Sequence, residues 1–263
     1  MVYFFGKSGY LSSACQQKFT QEGLKFEIVS RKGEIEFDLE TCEHTSSLER
    51  IREGSTVVFF SALSKPDACE ANPQLAYNIN VKNTIKIIDF LIQRSCRVLF
   101  CSSDTIFSGG VKVHFEGDRP CPLGMYAQTK SMVEDYFRNE PQFIVMRLSY
   151  IFGQGDSFTS YAYSCLRDNR KIEIYEGYLR HAISIDTVLK GILALVSSEF
   201  ISERFFNFCG DELIDRRRIL ELCDKAFTNA GYKYVQAPNG YWDARAKSIR
   251  LENQNFKKLI KRH

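Results

Sequence analysis

A hydroxyl and a Tyr–Lys pair stand in an order that suits moving a proton beside a carbonyl group. An apolar run, Arg97–Cys101, delivers Ser102, Ser103 and Asp104 at its carboxyl end, and Tyr126 and Lys130 follow about two dozen residues later. Four residues is about one helical turn, so Tyr126 and Lys130 share a helix face. A serine at a strand end can hold a carbonyl oxygen while a phenol delivers a proton to it. The pair alone says little, because Y-x-x-x-K arises by chance in many helices. Its meaning depends on whether the surrounding elements form a cofactor site.

The elements before it have that pattern. Val2–Phe5 is a fully apolar run that breaks at Gly6, as a buried parallel strand would. The turn Gly6-Lys7-Ser8-Gly9-Tyr10-Leu11-Ser12 follows, then a helical stretch to Glu22 with Gly23 as its stop. Strand, glycine turn and helix is where a dinucleotide pyrophosphate is met by backbone N–H groups, although an ordinary strand-to-helix turn has the same outline. Lys25–Val29 reads as the second strand and ends at Ser30-Arg31-Lys32. An acid at that position would suit the ribose 2′-hydroxyl of NAD. The basic residues suit a 2′-phosphate, so NADP(H) is favoured over NAD(H), with a solvated turn as the alternative. Asp38 and Leu39, closing the alternating stretch Glu34–Leu39, would edge the adenine pocket.

Ser55–Ser61 is a third buried strand leading into Ala62 and Leu63, and Pro73 opens a long helical pattern through Arg94 that contains Asn80. Arg97–Cys101 is the fourth strand, a helix runs from about Met125 to Asn139, and Phe143–Arg147 is the fifth strand. The fold class expected is α/β: a Rossmann-type doubly wound parallel sheet over residues 1–151, with a smaller α/β lobe over 152–263. Residues 185–205 are expected to pack on the first domain, and the second lobe to draw mainly on 152–186 and 206–263.

Composition excludes several classes. Of 263 residues, 44% are hydrophobic and 25% charged, an ordinary globular balance. No apolar run is long enough to span a bilayer, and the start has no basic region before its short apolar run, so a soluble cytoplasmic protein is expected. Nine dispersed cysteines without a C-x-x-C make a disulfide framework unlikely, and His44, His114, His181 and His263 show no zinc spacing, so no metal is expected. The net charge is +3, of which Gly240–His263 carries +5. A terminal amphipathic helix with a solvated basic face explains that tail better than nucleic-acid binding, since the body has no basic stripe.

Together these segments resemble the extended short-chain dehydrogenase/reductase superfamily, and within it the dTDP-4-dehydrorhamnose reductase branch. The resemblance spans roughly Val2 to Ile260. It is carried by G-K-S-G-Y-L, by S-A-L-S-K-P-D-A-C-E-A-N-P-Q-L-A-Y-N-I-N, and by S-S-D-T-I-F-S-G-G with F-E-G-D-R-P-C-P-L-G-M-Y-A-Q-T-K. V-M-R-L-S-Y-I-F-G and R-H-A-I-S-I-D complete it. The resemblance implies Ser103 as the catalytic hydroxyl, Tyr126 as the acid and Lys130 as its partner. It implies Gly6, Ser8, Gly9, Tyr10 and Leu11 at the pyrophosphate, Asp38 and Leu39 at adenine, Ala62 and Leu63 at the ribose, and Asn80 behind the nicotinamide. Ser12 departs from the pattern, taking the place of the usual third glycine.

On this likeness the protein reduces a nucleotide-linked 4-keto-6-deoxy sugar with NAD(P)H, and Lys130 is expected to bring the Tyr126 phenol down toward working pH. Thr105 stands where sugar-nucleotide dehydratases carry a Glu and where GDP-fucose epimerase-reductases carry a Cys, so neither chemistry is supported. Asp104, Tyr150, Arg180 and His181 lie where relatives meet the nucleotide sugar, and a cationic Arg180 suits a diphosphate. An interlobe salt bridge for Arg180 and a packed ring for His181 are the alternatives. Trp242 is a further candidate for closing the nucleotide pocket. A nucleotide-sugar epimerase with bound NAD and a catalytically silent cofactor-binding regulatory subunit are the competing functions. The partners expected are the nucleotide sugar and a second copy in a homodimer, with neither nucleic acid nor membrane.

Overall fold

The computed structural model describes residues 1–262, so His263 lies outside the described residues. Seven strands form one wholly parallel sheet in the order Phe205–Phe208, Phe143–Leu148, Arg97–Ser103, Thr56–Phe59, Val2–Phe5, Phe26–Ser30, Ile35–Glu36. The chain begins mid-sheet, winds outward through Ile35–Glu36, then returns to the other side of Val2–Phe5. That reversal is the switch point of a doubly wound sheet, where a ligand crevice forms outside the strands' carboxyl ends. Gly6 sits there.

Alternation along the strands sends successive side chains to opposite faces. Tyr3, Phe5, Val57, Phe59, Val98 and Phe100 pack on one side with the helices Thr84–Gln93 and Met125–Tyr136. Phe4, Val58, Leu99 and Cys101 pack on the other with Tyr10–Gln21, Ile185–Ser197 and Gln254–Arg262. Both faces are covered, which is why these strands read as continuous apolar runs.

The smaller lobe has its own core of Phe158, Ala162, Cys165, Ile172, Ile174, Leu220 and Phe227. Its sheets are short: Ile214–Asp215, Leu179–Arg180, Ser248–Leu251 and Val113–His114 form one, and Ile172–Tyr175 pairs with Tyr232–Val235.

Three expectations change. Phe205–Phe208 was expected almost wholly in the second lobe and is the seventh strand of the main sheet, because its Phe206 and Phe208 complete the core on one face. The terminal helix follows it there: Phe256 lies on Phe208, ring centroids 4.3 Å apart, while Lys257, Lys258, Lys261 and Arg262 stay exposed. The stretch Glu34–Leu39 forms a strand only over Ile35–Glu36. Last, the helix expected from Pro73 to Arg94 changes pitch, with a π-helical segment, Asn78–Asn83, between the α-helices Pro73–Tyr77 and Thr84–Gln93. No helix among the described residues is long and apolar enough to cross a membrane.

Candidate active site

The glycine turn is shaped for close approach. Gly6 has φ of +105°, and a Cβ there would stand 2.9 Å from Ser61 Oγ, so neither the dihedral nor the space admits a side chain. Gly9 caps the helix Tyr10–Gln21 with no side-chain hydrogen bond, nothing within 4 Å of its own Cβ position, and no acid in the first turn. The N–H groups of that turn therefore face outward with the positive end of the helix dipole, a fit for a pyrophosphate. Ser12 is 1% exposed and donates to the Gly6 carbonyl at 2.6 Å. The serine thus fits the helix–strand contact usually made by glycine and ties the helix to the turn. Lys7 and Ser8 are exposed beside it.

Tyr10 and Leu11 turn away from the phosphate side. The Tyr10 hydroxyl is buried without a hydrogen-bond partner, and a Cβ on Gly153 would lie 2.8 Å from it. Burial first, then Asp156, pushes its phenol up to about 12. Only the Tyr10 backbone is placed for a cofactor; its ring joins the two lobes.

At the far end of the crevice, Arg31 is largely exposed and 3.9 Å from Asp38. Lys7 Nζ donates to the Lys32 carbonyl at 2.8 Å, gathering a third cation that the sequence reading overlooked. Asp38 accepts from Glu40 N at 2.9 Å, and the Leu39 carbonyl accepts from Asn83 Nδ2 at 2.9 Å, which fixes the edge expected to meet adenine.

The structure separates Ser102 from Ser103. Ser102 shares strand parity with Val98 and Phe100, and its hydroxyl donates to the buried Glu134 carboxylate on the helix Met125–Tyr136. Ser103, the last residue of its strand, is partly exposed; its hydroxyl donates to Asp104 Oδ1 at 3.3 Å and accepts from Thr105 Oγ1 at 2.9 Å and Thr105 N at 3.2 Å. From sequence, Thr105 marks the absence of a dehydratase Glu and of an epimerase-reductase Cys. Here it orients the Ser103 oxygen.

Tyr126 is the second residue of its helix and Lys130 lies one turn on. Lys130 Nζ donates to the Cys101 carbonyl at 2.8 Å and sits 4.6 Å from the Phe100 ring centroid and 6.0 Å from that of Tyr126. The expected lowering of the phenol by the ammonium is absent. Burial pushes Tyr126 well above its usual value, and burial lowers Lys130 to about 8. Desolvation disfavours the charged form of each group and is the largest influence on both.

Asn80 is 2% exposed and holds two walls of the crevice together. Its Oδ1 accepts from Leu63 N at 2.7 Å, and its Nδ2 donates to the Leu63 carbonyl at 3.0 Å and to Thr129 Oγ1 at 3.2 Å. The loop after the third strand, with Ala62 and Leu63, is thereby tied to the residue preceding Lys130. Asn80 lies in the π-helical segment, and such segments within α-helices are frequent at functional sites. Gly124, the cap before Tyr126, is covered by the C-terminal chain: a Cβ there would be 2.5 Å from the Ala244 carbonyl.

On the substrate side, Arg180 is not free. It is 3% exposed, lies 3.5 Å from Asp104, and donates to the carbonyls of Leu179 and Lys247 at 2.8 Å and of Ala246 at 2.7 Å. The interlobe salt bridge is the arrangement it adopts, because Asp104 is buried and needs a counter-charge. Even so, burial raises the Asp104 carboxyl, with Arg180 the chief opposing influence. Asp104 also accepts from Ser149 at 3.0 Å. His181 Nδ1 lies 3.0 Å from the Gly210 carbonyl as a packed ring. Tyr150 donates to Asp156 at 2.8 Å and faces Tyr178, so its ring lines the interlobe side while its hydroxyl is engaged.

The family model for the RmlD substrate binding domain matches residues 1–209. The dTDP-4-dehydrorhamnose reductase of Salmonella typhimurium is 24% identical over 160 residues, 60% of this chain and 54% of that protein. Methionine adenosyltransferase 2 subunit beta of Rattus norvegicus is 25% identical over 173 residues, 64% of this chain and 52% of that protein. The chain spans about half the length of these relatives. Among solved structures, dTDP-4-dehydrorhamnose reductase from Bacillus anthracis in complex with NADP superposes with a TM-score of 0.82 at 15% identity, covering 99% of this chain and 97% of that one. MoeE5 in complex with UDP-glucuronic acid and NAD gives 0.79 at 21% identity, covering 99% and 92%.

Proposed function

The chain belongs to the RmlD substrate-binding-domain family, and from that premise we propose that it reduces the ketone of a nucleotide-linked 4-keto-6-deoxy sugar, taking NADPH in preference to NADH. The observation that supports this reading is that Lys130, one turn beyond Tyr126, reaches the Cys101 carbonyl on the strand whose last residue is Ser103, in a sheet whose switch point carries an uncapped glycine turn. Bound nicotinamide supplies the hydride. Ser103 holds the carbonyl oxygen, with Thr105 keeping its hydroxyl in place. Tyr126 gives its proton to that oxygen as the carbon is reduced, so the ketone becomes an alcohol and the phenol is left to be reprotonated from solvent. Lys130 places its positive charge beside the phenolate formed. The test is NADPH consumption with a panel of nucleotide-linked 4-keto sugars. Turnover on at least one supports the reading, and none on any overturns it.

The preference for NADPH rests on Arg31, Lys32 and Lys7 at the end of the second strand. Changing Arg31→Ser and Lys32→Ser together is expected to weaken NADPH binding about tenfold or more, the worth of a charge-assisted hydrogen bond, and to leave NADH nearly unchanged. Equal losses for both cofactors in a binding titration would remove that role.

A second reading is favoured by the similarity to methionine adenosyltransferase 2 subunit beta: a cofactor-binding subunit without turnover of its own. Recovery of a stoichiometric protein partner with a purified protein silent on every keto sugar supports it. An epimerase would instead carry NAD through purification and consume none.

A further inference from the structure

Three arginines converge on the aromatic cluster between the lobes, and two of them are neutralised within the chain. Arg180 meets Asp104 at 3.5 Å, and Arg245 meets Asp67 at 2.5 Å. Arg216 meets no carboxylate among the described residues. Its guanidinium carbon stands 4.2 Å from the ring centroid of Phe158, 4.6 Å from Tyr178 and 5.7 Å from Tyr150. Its Nε is buried and has no hydrogen-bond partner among the described residues.

A guanidinium stacked on rings uses its flat faces and keeps its donors in the plane. Those donors strongly prefer a planar or tetrahedral oxyanion. A buried N–H without an acceptor is costly, and a native structure rarely leaves one without a reason. Two acids of the same region, Asp215 and Asp156, are engaged elsewhere. Asp215 receives Arg218 N at 2.8 Å and the Tyr234 hydroxyl at 2.9 Å. Asp156 receives the Tyr150 hydroxyl and caps the helix Ser157–Arg167.

The position of this cation also fits a ligand. Tyr178 carries Arg216 and Arg180 within 4.6 and 4.3 Å of its centroid, and Arg180 leads through Asp104 to Ser103. Trp242 lies beside the same ring, with centroids 6.3 Å apart and planes at 28°. An anion at Arg216 would thus lie at the far end of a Tyr178–Arg180–Asp104 chain that ends at Ser103, among flat surfaces suited to a base or sugar. We propose that Arg216, and not the buried Arg180, binds the diphosphate of the nucleotide-linked substrate. This assignment rests on the reductase reading above and names the group that anchors its substrate.

The experiment is calorimetric titration of the protein saturated with NADP⁺, so that the pyrophosphate turn is occupied. UDP, dTDP, GDP and CDP are the probes, with the matching nucleosides as controls. The expected result is binding of at least one diphosphate, much weaker binding of its nucleoside, and a loss of about tenfold or more in Arg216→Gln. Arg216→Met keeps an unbranched chain against the rings and is expected to lose as much, with NADP⁺ affinity unchanged in either variant. Binding of the diphosphate as tightly by a variant that retains NADP⁺ affinity overturns the role of Arg216 and leaves the reductase reading standing. Failure of the unaltered protein to bind any of the four overturns both.

Discussion

Replacing Tyr126 with Phe is expected to lower turnover roughly 10²–10⁴-fold, the usual contribution of a positioned general acid, while NADPH binds nearly as before. The substitution removes one oxygen and keeps the ring beneath which Lys130 lies. The raised phenol favours the role of donor in one respect: Tyr126 holds its proton throughout the neutral range. The cost is that the phenolate left after transfer is poorly solvated, so the reaction depends on the positive charge of Lys130. That charge is itself vulnerable. An amine near 8 in the folded protein, against its ordinary 10.5, loses its proton as pH rises through 8. Turnover should therefore decline on that alkaline limb, and Lys130→Met should abolish the limb along with most activity. Stability runs the other way. Between about 8 and 10.5 the unfolded chain binds more protons than the folded one, so this group makes folding more favourable as pH climbs through that window. A Tyr126→Phe variant with full turnover would remove the phenol from the mechanism.

The sheet could be read ahead of the structure because strands buried on both faces leave an unmistakable record: VYFF, TVVF and FIVMR carry no polar alternation to confuse them. Gly6 was legible as a turn but shared its outline with any strand-to-helix turn; its φ of +105° and its place at the switch point are what mark it for close approach. What could not be read is set by contacts distant in sequence. Nothing local marks Phe205–Phe208 as a strand of the first domain; its partner, Phe143–Leu148, lies some sixty residues away. Arg180 could be read either as a phosphate ligand or as an interlobe salt bridge, because a charge beside His181 carries no sign of the buried Asp104 that claims it. The same blindness hid Arg216, whose surroundings, Phe158, Tyr178 and Tyr150, come from three separate segments. The upward shift of Tyr126 was missed for a related reason. Sequence supplies the pair of charges but not the depth at which they are held, and depth decides the balance.

Changing Glu134 to Ala is expected to destabilise the protein by about 3–5 kcal/mol, a large share of the roughly 5–15 kcal/mol that holds a domain folded. Both partners of the Glu134–Arg147 pair are wholly buried. Arg147 reaches Glu134 Oε2 through Nη2 at 2.8 Å and Nε at 3.1 Å, and its Nη1 donates to the Glu116 carbonyl at 2.9 Å. Loss of the carboxylate would strand that guanidinium between Phe107 and Phe205 without a counter-ion and deprive Ser102 of its acceptor. Removing both charges should cost less than removing one: Glu134→Leu combined with Arg147→Met leaves no unpaired charge behind. Urea denaturation of the single and double variants measures this, and a single variant within about 1 kcal/mol of the parent would show that the pair does not hold the fold. The consequence reaches the chemistry through geometry. Glu134 is one turn beyond Lys130, and Ser102 immediately precedes Ser103, so the buried pair fastens the helix that carries the acid to the strand that carries the hydroxyl. A variant that survives folding with Glu134→Gln, which keeps two hydrogen bonds and loses the charge, should bind NADPH normally and show its defect in turnover, as the distance between those two groups relaxes.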